Sequence, residues 1–100
     1  MKRVDSIADI RKTIGLHRVT LNNQYHIRRI GIFGSAARDE LSDSSDVDIL
    51  VEFETTVGYF LLSHLHDELC KILGRNVDLA TPGAIHPVLH DSIMQDLIYV

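Results

Sequence analysis

A small-residue turn and three carboxylates are the parts of this chain best suited to chemistry. Gly34 and Ser35 are followed, after residues 36–45, by Asp46-Val47-Asp48. Residues two apart in an extended strand point to the same face, so Asp46 and Asp48 are expected to project together. Two carboxylates that close repel each other. A divalent cation between them removes the conflict, and their hard oxygen atoms suit magnesium.

Asp78 supplies a third carboxylate from another predicted strand, and it also avoids the apolar face. Three carboxylates that converge from adjacent strands can hold two magnesium ions, typically ~3.5–4 Å apart. One ion would bind the triphosphate of a nucleotide. The other would activate a hydroxyl for attack on the α-phosphate, which expels pyrophosphate. Asp78 is placed to orient or deprotonate that hydroxyl.

Gly34, Ser35 and Arg38 suit the phosphate end of the same ligand. Glycine lets a backbone approach phosphate without a Cβ clash, and the Ser35 hydroxyl and nearby N–H groups are donors. Arg38 lies about one helical turn further on, within reach of the triphosphate. Each feature alone is more often an ordinary turn, a solvated strand edge or a surface residue. Their combination predicts a nucleoside triphosphate site.

The elements that must position these residues can be predicted from the apolar pattern. Strands are predicted over residues 28–33, 46–53 and 76–80. Helices are predicted from Ser6 to near Gly15, in a short piece from Thr20 and over 58–73. A final helix is predicted from Pro87, with Val88, Leu89 and Ile93 inward, and Leu97 as well if the helix extends that far. Residues 97–100 either extend the last helix or form a short strand. The fold class is therefore mixed α/β, a sheet of three to four strands with helices packed on one face and the carboxylate face open.

Size and composition narrow the function further. One hundred residues predict a single domain over 1–100. A net charge of −4 argues against a general nucleic-acid binder, which would show a basic face. The single cysteine, Cys70, excludes an intrachain disulfide framework and suits a reducing cytoplasm. No segment is typical of a signal peptide or a membrane span. We therefore expect a cytoplasmic protein with no direct nucleic-acid or membrane partner.

Two segments carry a family resemblance. Residues 30–38, Ile-Gly-Ile-Phe-Gly-Ser-Ala-Ala-Arg, and 45–51, Ser-Asp-Val-Asp-Ile-Leu-Val, resemble the minimal nucleotidyltransferases of the DNA polymerase β-like superfamily. Residues 74–79 look like that family's third-carboxylate strand. The closest resemblance is to the MntA-type antitoxins of HEPN–MNT toxin–antitoxin pairs, which are type VII-like systems. It extends from about Tyr25 to the C-terminus.

The resemblance implies a small nucleotidyltransferase fold, with ATP as co-substrate and magnesium as cofactor. It implies transfer of AMP from ATP to a tyrosine of a cognate HEPN ribonuclease toxin, which silences the toxin. By this resemblance, Gly34 and Ser35 contact phosphates, Asp46 and Asp48 are metal ligands, Asp78 is the third ligand and base, and Arg38 occupies a position that is usually arginine.

The chain departs from the family pattern beside that arginine. Asp39 stands where the family usually has glycine, and Glu40 follows it. The added negative charge is predicted to weaken ATP binding unless both side chains face solvent. Ala36 replaces a residue that is often bulkier or basic in the family. None of these changes removes a catalytic group, so we expect activity to survive.

Two other functions are compatible with the residues. An antitoxin could act by binding its toxin alone, although the three intact carboxylates argue against a decayed site. A nucleotidyltransferase for a small molecule would need a further domain or subunit to hold the acceptor. For a protein partner, we expect contacts on exposed apolar surface, in the last helix and in residues 97–100.

Overall fold

A four-stranded sheet organises the fold in this computed structural model, which describes residues 3–100. The elements in chain order are α1 (Ile7–Tyr25), β1 (Ile27–Phe33), α2 (Gly34–Ala37), β2 (Val47–Phe53), α3 (Tyr59–Leu73), β3 (Val77–Ala80), a 3-10 turn (Pro82–Ala84), α4 (Pro87–Asp96) and β4 (Ile98–Tyr99). The strand order is β3-β2-β1-β4. β2 and β3 are parallel, whereas β1 is antiparallel to both β2 and β4. The predicted mixed α/β class is confirmed.

The alternation of side chains along β2 separates the core from the candidate site. Val47, Ile49 and Val51 are completely buried in the main hydrophobic cluster. That cluster includes residues of α1 and α3, so both helices pack on this face. The polar residues of β2 alternate with these apolar residues and therefore point to the opposite face, because successive side chains in a strand point to opposite faces. We call this second surface the carboxylate face.

The carboxylate face is not entirely open. Leu50 points to it and is nevertheless 1% exposed. Its register partner on β1 is Gly31, and a Cβ at Gly31 would lie 2.5 Å from Leu97 Cδ1. Leu97 therefore covers the middle of this face, and the missing side chain at Gly31 makes room for it.

The prediction that the first helix stops near Gly15 is wrong. α1 runs unbroken through Gly15 to Tyr25 and absorbs the piece predicted from Thr20. A glycine inside a helix costs about 1 kcal/mol relative to alanine, which is small. Ile10 and Ile14 before it and Leu21 after it are buried in one core, so tertiary packing overrides the local preference.

The prediction for the last helix is also partly wrong. Val88 and Leu89 are 79% and 55% exposed, whereas Ile93 is half-buried. The helix is instead held at its C-terminal end, through Asp96 and Leu97.

The last residues form a strand, one of the two predicted alternatives. Residues 98–99 are β4 on the edge of the sheet, and the Val100 N–H donates to the Ile30 carbonyl at 2.9 Å. Within residues 3–100, no helix has the length and apolar character needed to cross a membrane.

Candidate active site

The three carboxylates predicted from the sequence come to one end of the carboxylate face. Asp48 and Asp78 are register partners on the parallel strands β2 and β3. Asp46 lies just before β2, two residues from Asp48. Asp48 is half-buried, whereas Asp46 and Asp78 are exposed.

The environment of Asp48 disfavours a negative charge. Burial is the largest cause that raises the pKa of its carboxyl, and the charges of Asp78 and Asp46 raise it further. Arg38 opposes these effects and lowers the same pKa. The charges of two neighbouring acids and one arginine therefore act on the Asp48 carboxyl, which indicates that these residues share one site.

The Gly34 turn lies against the Asp48 carboxylate. Phe33, the last residue of β1, is the register partner of Asp48, so the chain enters α2 beside this carboxylate. Gly34 has a φ of +67°, a conformation that favours glycine. A Cβ at this position would overlap Asp48 Oδ2. Glycine is required here for the backbone conformation and for the close approach.

Arg38 borders the site and already has acidic partners. It follows α2, and its Nη1 donates to Asp96 Oδ2 at 2.5 Å. Its Nε lies 3.5 Å from Glu40 Oε2. The hydrogen bond to Asp96 is the main cause that raises the pKa of the guanidinium. Arg38 is therefore tied to the end of α4, and a phosphate group would compete with Asp96 for it.

Asp39 does not direct its charge into the site. Its φ is +59°, so it adopts the conformation for which the usual glycine of the family would serve. Its Oδ1 accepts a hydrogen bond from the Ile7 N–H at 3.0 Å, at the start of α1. A carboxylate is favourable at a helix N-terminus. The Asp39 side chain thus stabilises the start of α1. Of the two acidic residues predicted to weaken ATP binding, Asp39 therefore does not direct its charge at the triphosphate.

Arg75 is a residue of the site region to which the sequence analysis gave no role. It is 7% exposed and lies between α3 and β3. Its guanidinium donates to backbone carbonyls in the N-terminal segment and in the loop before Asp46. A charged residue in the short connection between a helix and a strand was a visible signal. Its partners lie 30–71 residues away in the chain, so the sequence did not reveal them.

The carboxylates fit a hard divalent cation in chemistry. All three supply oxygen, which magnesium prefers. A cation would also relieve the charge repulsion that adds to burial in raising the pKa of Asp48. Among residues 3–100, no three His, Cys, Asp or Glu side chains form a group that could hold an ion as they stand. A shared ion therefore requires a change of side-chain rotamer, which the exposed positions of Asp46 and Asp78 permit.

Fold and site together define a small mixed α/β domain with three carboxylates at the amino ends of two parallel strands. Comparison with known proteins gives the class. The sequence profile of the nucleotidyltransferase domain matches residues 17–100. The chain belongs to the nucleotidyltransferase domain family, and its resemblance to the minimal members is confirmed.

Individual relatives agree with this assignment. A protein of Methanocaldococcus jannaschii, provisionally named a protein adenylyltransferase, is 45% identical over 101 residues and covers all of both chains. A solved minimal nucleotidyltransferase superposes with a TM-score of 0.78 at 27% identity, over 93% of this chain and 94% of that one. A mutant MntA–HpeT toxin–antitoxin superposes with a TM-score of 0.67 at 25% identity, over 91% of this chain and 70% of that one.

Proposed function

We propose that this chain is a cytoplasmic antitoxin that transfers AMP from ATP to a tyrosine of a cognate HEPN-family toxin. The site geometry carries the proposal, because Asp48 faces Asp78 across parallel strands and lies against the Gly34 turn. Two of the similar proteins add support. One sequence relative is named a protein adenylyltransferase, and one similar solved structure is that of a toxin–antitoxin pair.

The reaction is a displacement at the α-phosphorus of ATP. The tyrosine oxygen forms a bond to this phosphorus. The bond from the α-phosphorus to the oxygen that bridges it to the β-phosphorus breaks, and pyrophosphate leaves. Asp78 takes the proton of the hydroxyl as general base. It is exposed at the sheet edge, where an acceptor from another protein can reach it.

The remaining residues bind and orient the nucleotide. Asp46 and Asp48 would hold magnesium together with Asp78. Magnesium, when bound, neutralises phosphate charge and stabilises the attacking and leaving oxygens. The Ser35 hydroxyl donates a hydrogen bond to a phosphate oxygen. Arg38 gives up its hydrogen bond to Asp96 and donates to the leaving pyrophosphate instead. Most of the rate enhancement would come from this positioning and electrostatic stabilisation.

The proposal can be tested with labelled ATP. Purified protein, magnesium and lysate of the source organism are incubated with ATP labelled at the α-phosphate. We expect one labelled protein band, with the label on tyrosine by mass spectrometry. ATP labelled at the γ-phosphate should give no such band, and neither should Asp46→Asn, which keeps the size of the side chain.

The outcome separates the competing functions. A labelled small molecule instead of a labelled protein would favour the small-molecule acceptor. If Asp46→Asn still neutralised the toxin at the same dose as wild type, inhibition by binding alone would be favoured and the enzymatic proposal would fail.

A further inference from the structure

Arg75 is a buried charged residue whose hydrogen bonds are all directed at two segments. Its Nε donates to the Val4 carbonyl at 2.6 Å, and its Nη2 lies 3.1 Å from Asp5 Oδ1. Its Nη1 donates to the carbonyls of Ser42 at 2.8 Å and Ser45 at 3.0 Å. A buried charge is tolerated when it is paired and hydrogen-bonded, and this guanidinium meets both conditions.

The loop that Arg75 binds is the one that places Asp46. Asp48 and Asp78 have their positions set by the register of β2 and β3, but Asp46 precedes the strand and is exposed. The Ser45 carbonyl belongs to the peptide group that leads into Asp46, and Arg75 holds it.

On the other side of Asp46, the backbone of Val47 is bound by Asn76, the residue after Arg75. The Val47 N–H donates to the Asn76 carbonyl at 3.0 Å. Residues 75 and 76 thus hold the backbone on both sides of Asp46. The loop itself is closed by a 2.9 Å hydrogen bond from the Ser42 N–H to Ser45 Oγ.

From these contacts we propose that Arg75 is a positioning residue, which fixes the Ser45–Asp46 peptide so that the Asp46 carboxylate meets an ion shared with Asp48. The inference rests on the proposed function, because it assigns Asp46 to a metal site. Residues that orient metal ligands commonly contribute about 10- to 100-fold to metal affinity or activity. We expect an effect of this size from Arg75.

A matched pair of lysine variants tests the proposal. Arg75→Lys keeps the charge but cannot reach all four acceptors with one ammonium group. Arg3→Lys is the control, because the Arg3 side chain is 40% exposed yet also contacts this loop, through Asp43 Oδ1 at 2.9 Å. Mn²⁺ binding is measured by electron paramagnetic resonance with α,β-methylene-ATP, which cannot release pyrophosphate. Urea unfolding of each variant shows that the measured protein is folded.

We expect folded Arg75→Lys to bind Mn²⁺ about 10- to 100-fold more weakly than wild type, with Arg3→Lys within about threefold. Wild-type affinity in folded Arg75→Lys would overturn the proposal and leave Arg75 a purely structural residue. A wild type that binds no Mn²⁺ would overturn it too. The measurement needs no acceptor, so failure to label a protein would count against the proposed function without affecting this test.

Discussion

At the scale of single residues, the raised pKa of Asp48 makes stability depend on pH. A carboxyl with a higher pKa in the folded than in the unfolded protein stabilises the fold when protonated. This contribution is present below the ordinary value of 3.8 and is lost as the pH rises through the folded pKa. Without metal, we therefore expect Asp48→Asn to gain stability relative to wild type as the pH rises from about 4.

Urea unfolding between pH 4 and 7 in the presence of a chelator measures this difference. Magnesium should then stabilise wild type at neutral pH but have little effect on Asp48→Asn, because ligands that bind the native state add to its stability. A stability difference that does not vary with pH would contradict the role assigned to burial and to the neighbouring acids.

Gly34 gives a second prediction at this scale. We expect Gly34→Ala to destabilise the fold by about 1–2 kcal/mol, because alanine disfavours a φ of +67°. The added methyl group also displaces the Asp48 carboxylate, so AMP transfer should fall by about 100-fold. The matched control is Gly83→Ala, whose Cβ would meet nothing within 4 Å.

Denaturation and transfer assays on both glycine variants decide the question. The control should change stability by less than about 0.5 kcal/mol. Equal activity in the two variants would mean that the contact between Gly34 and Asp48 does not matter for the reaction.

Residue types and local spacing identified the carboxylates that gather at the site. Asp46 and Asp48 could be placed on one face because strand periodicity is a local property, whereas Asp78 joins them only when the predicted strands are laid side by side. The sequence alone predicts that Asp39 adds charge near the triphosphate, since nothing local shows that its partner is the Ile7 N–H, 32 residues away. Arg75 was overlooked for the same reason. Contacts between distant segments depend on the packed fold.

At the scale of elements, α1 shows how packing overrides local preference. Gly15 lies in the middle of this helix, its Cβ would meet nothing within 4 Å, and its φ is not positive. We therefore expect Gly15→Ala to stabilise the protein by about 1 kcal/mol. Thermal unfolding should show a Tm higher by about 4–8 °C for a domain of this size. A lower Tm would indicate that the helix is interrupted at Gly15, as the sequence alone predicted.

The helix α4 shows the opposite limit of sequence reasoning. Pro87 correctly predicts its first turn. The spacing of its apolar residues shows that they share one face of the helix, but not whether that face packs on the core or is exposed. The structure leaves Val88 and Leu89 exposed and holds the helix through Asp96 and Leu97. Because α4 is next to the site, we expect its exposed apolar residues to contact a protein partner.

At the scale of the whole molecule, exposed apolar residues lie on both sides of the sheet. Leu16 on α1 is 76% exposed and Val88 on α4 is 79% exposed. The helix α1 packs on the core face, whereas α4 is tied to Arg38 at the site. A protein that brings a tyrosine to the carboxylates must approach from their side. If the chain has the proposed function, we expect such a protein to contact α4 rather than α1.

We accordingly expect Val88→Asp to weaken toxin binding by about tenfold or more, and Leu16→Asp to leave it unchanged. A charge in the buried centre of an interface costs binding energy, whereas a charge on an uninvolved surface does not. Both positions are exposed, so both variants should fold like wild type by circular dichroism. Titration calorimetry with the purified toxin measures the affinities. Weaker binding by Leu16→Asp with wild-type binding by Val88→Asp would place the toxin on the core-side helices, where it could not present its tyrosine to Asp78.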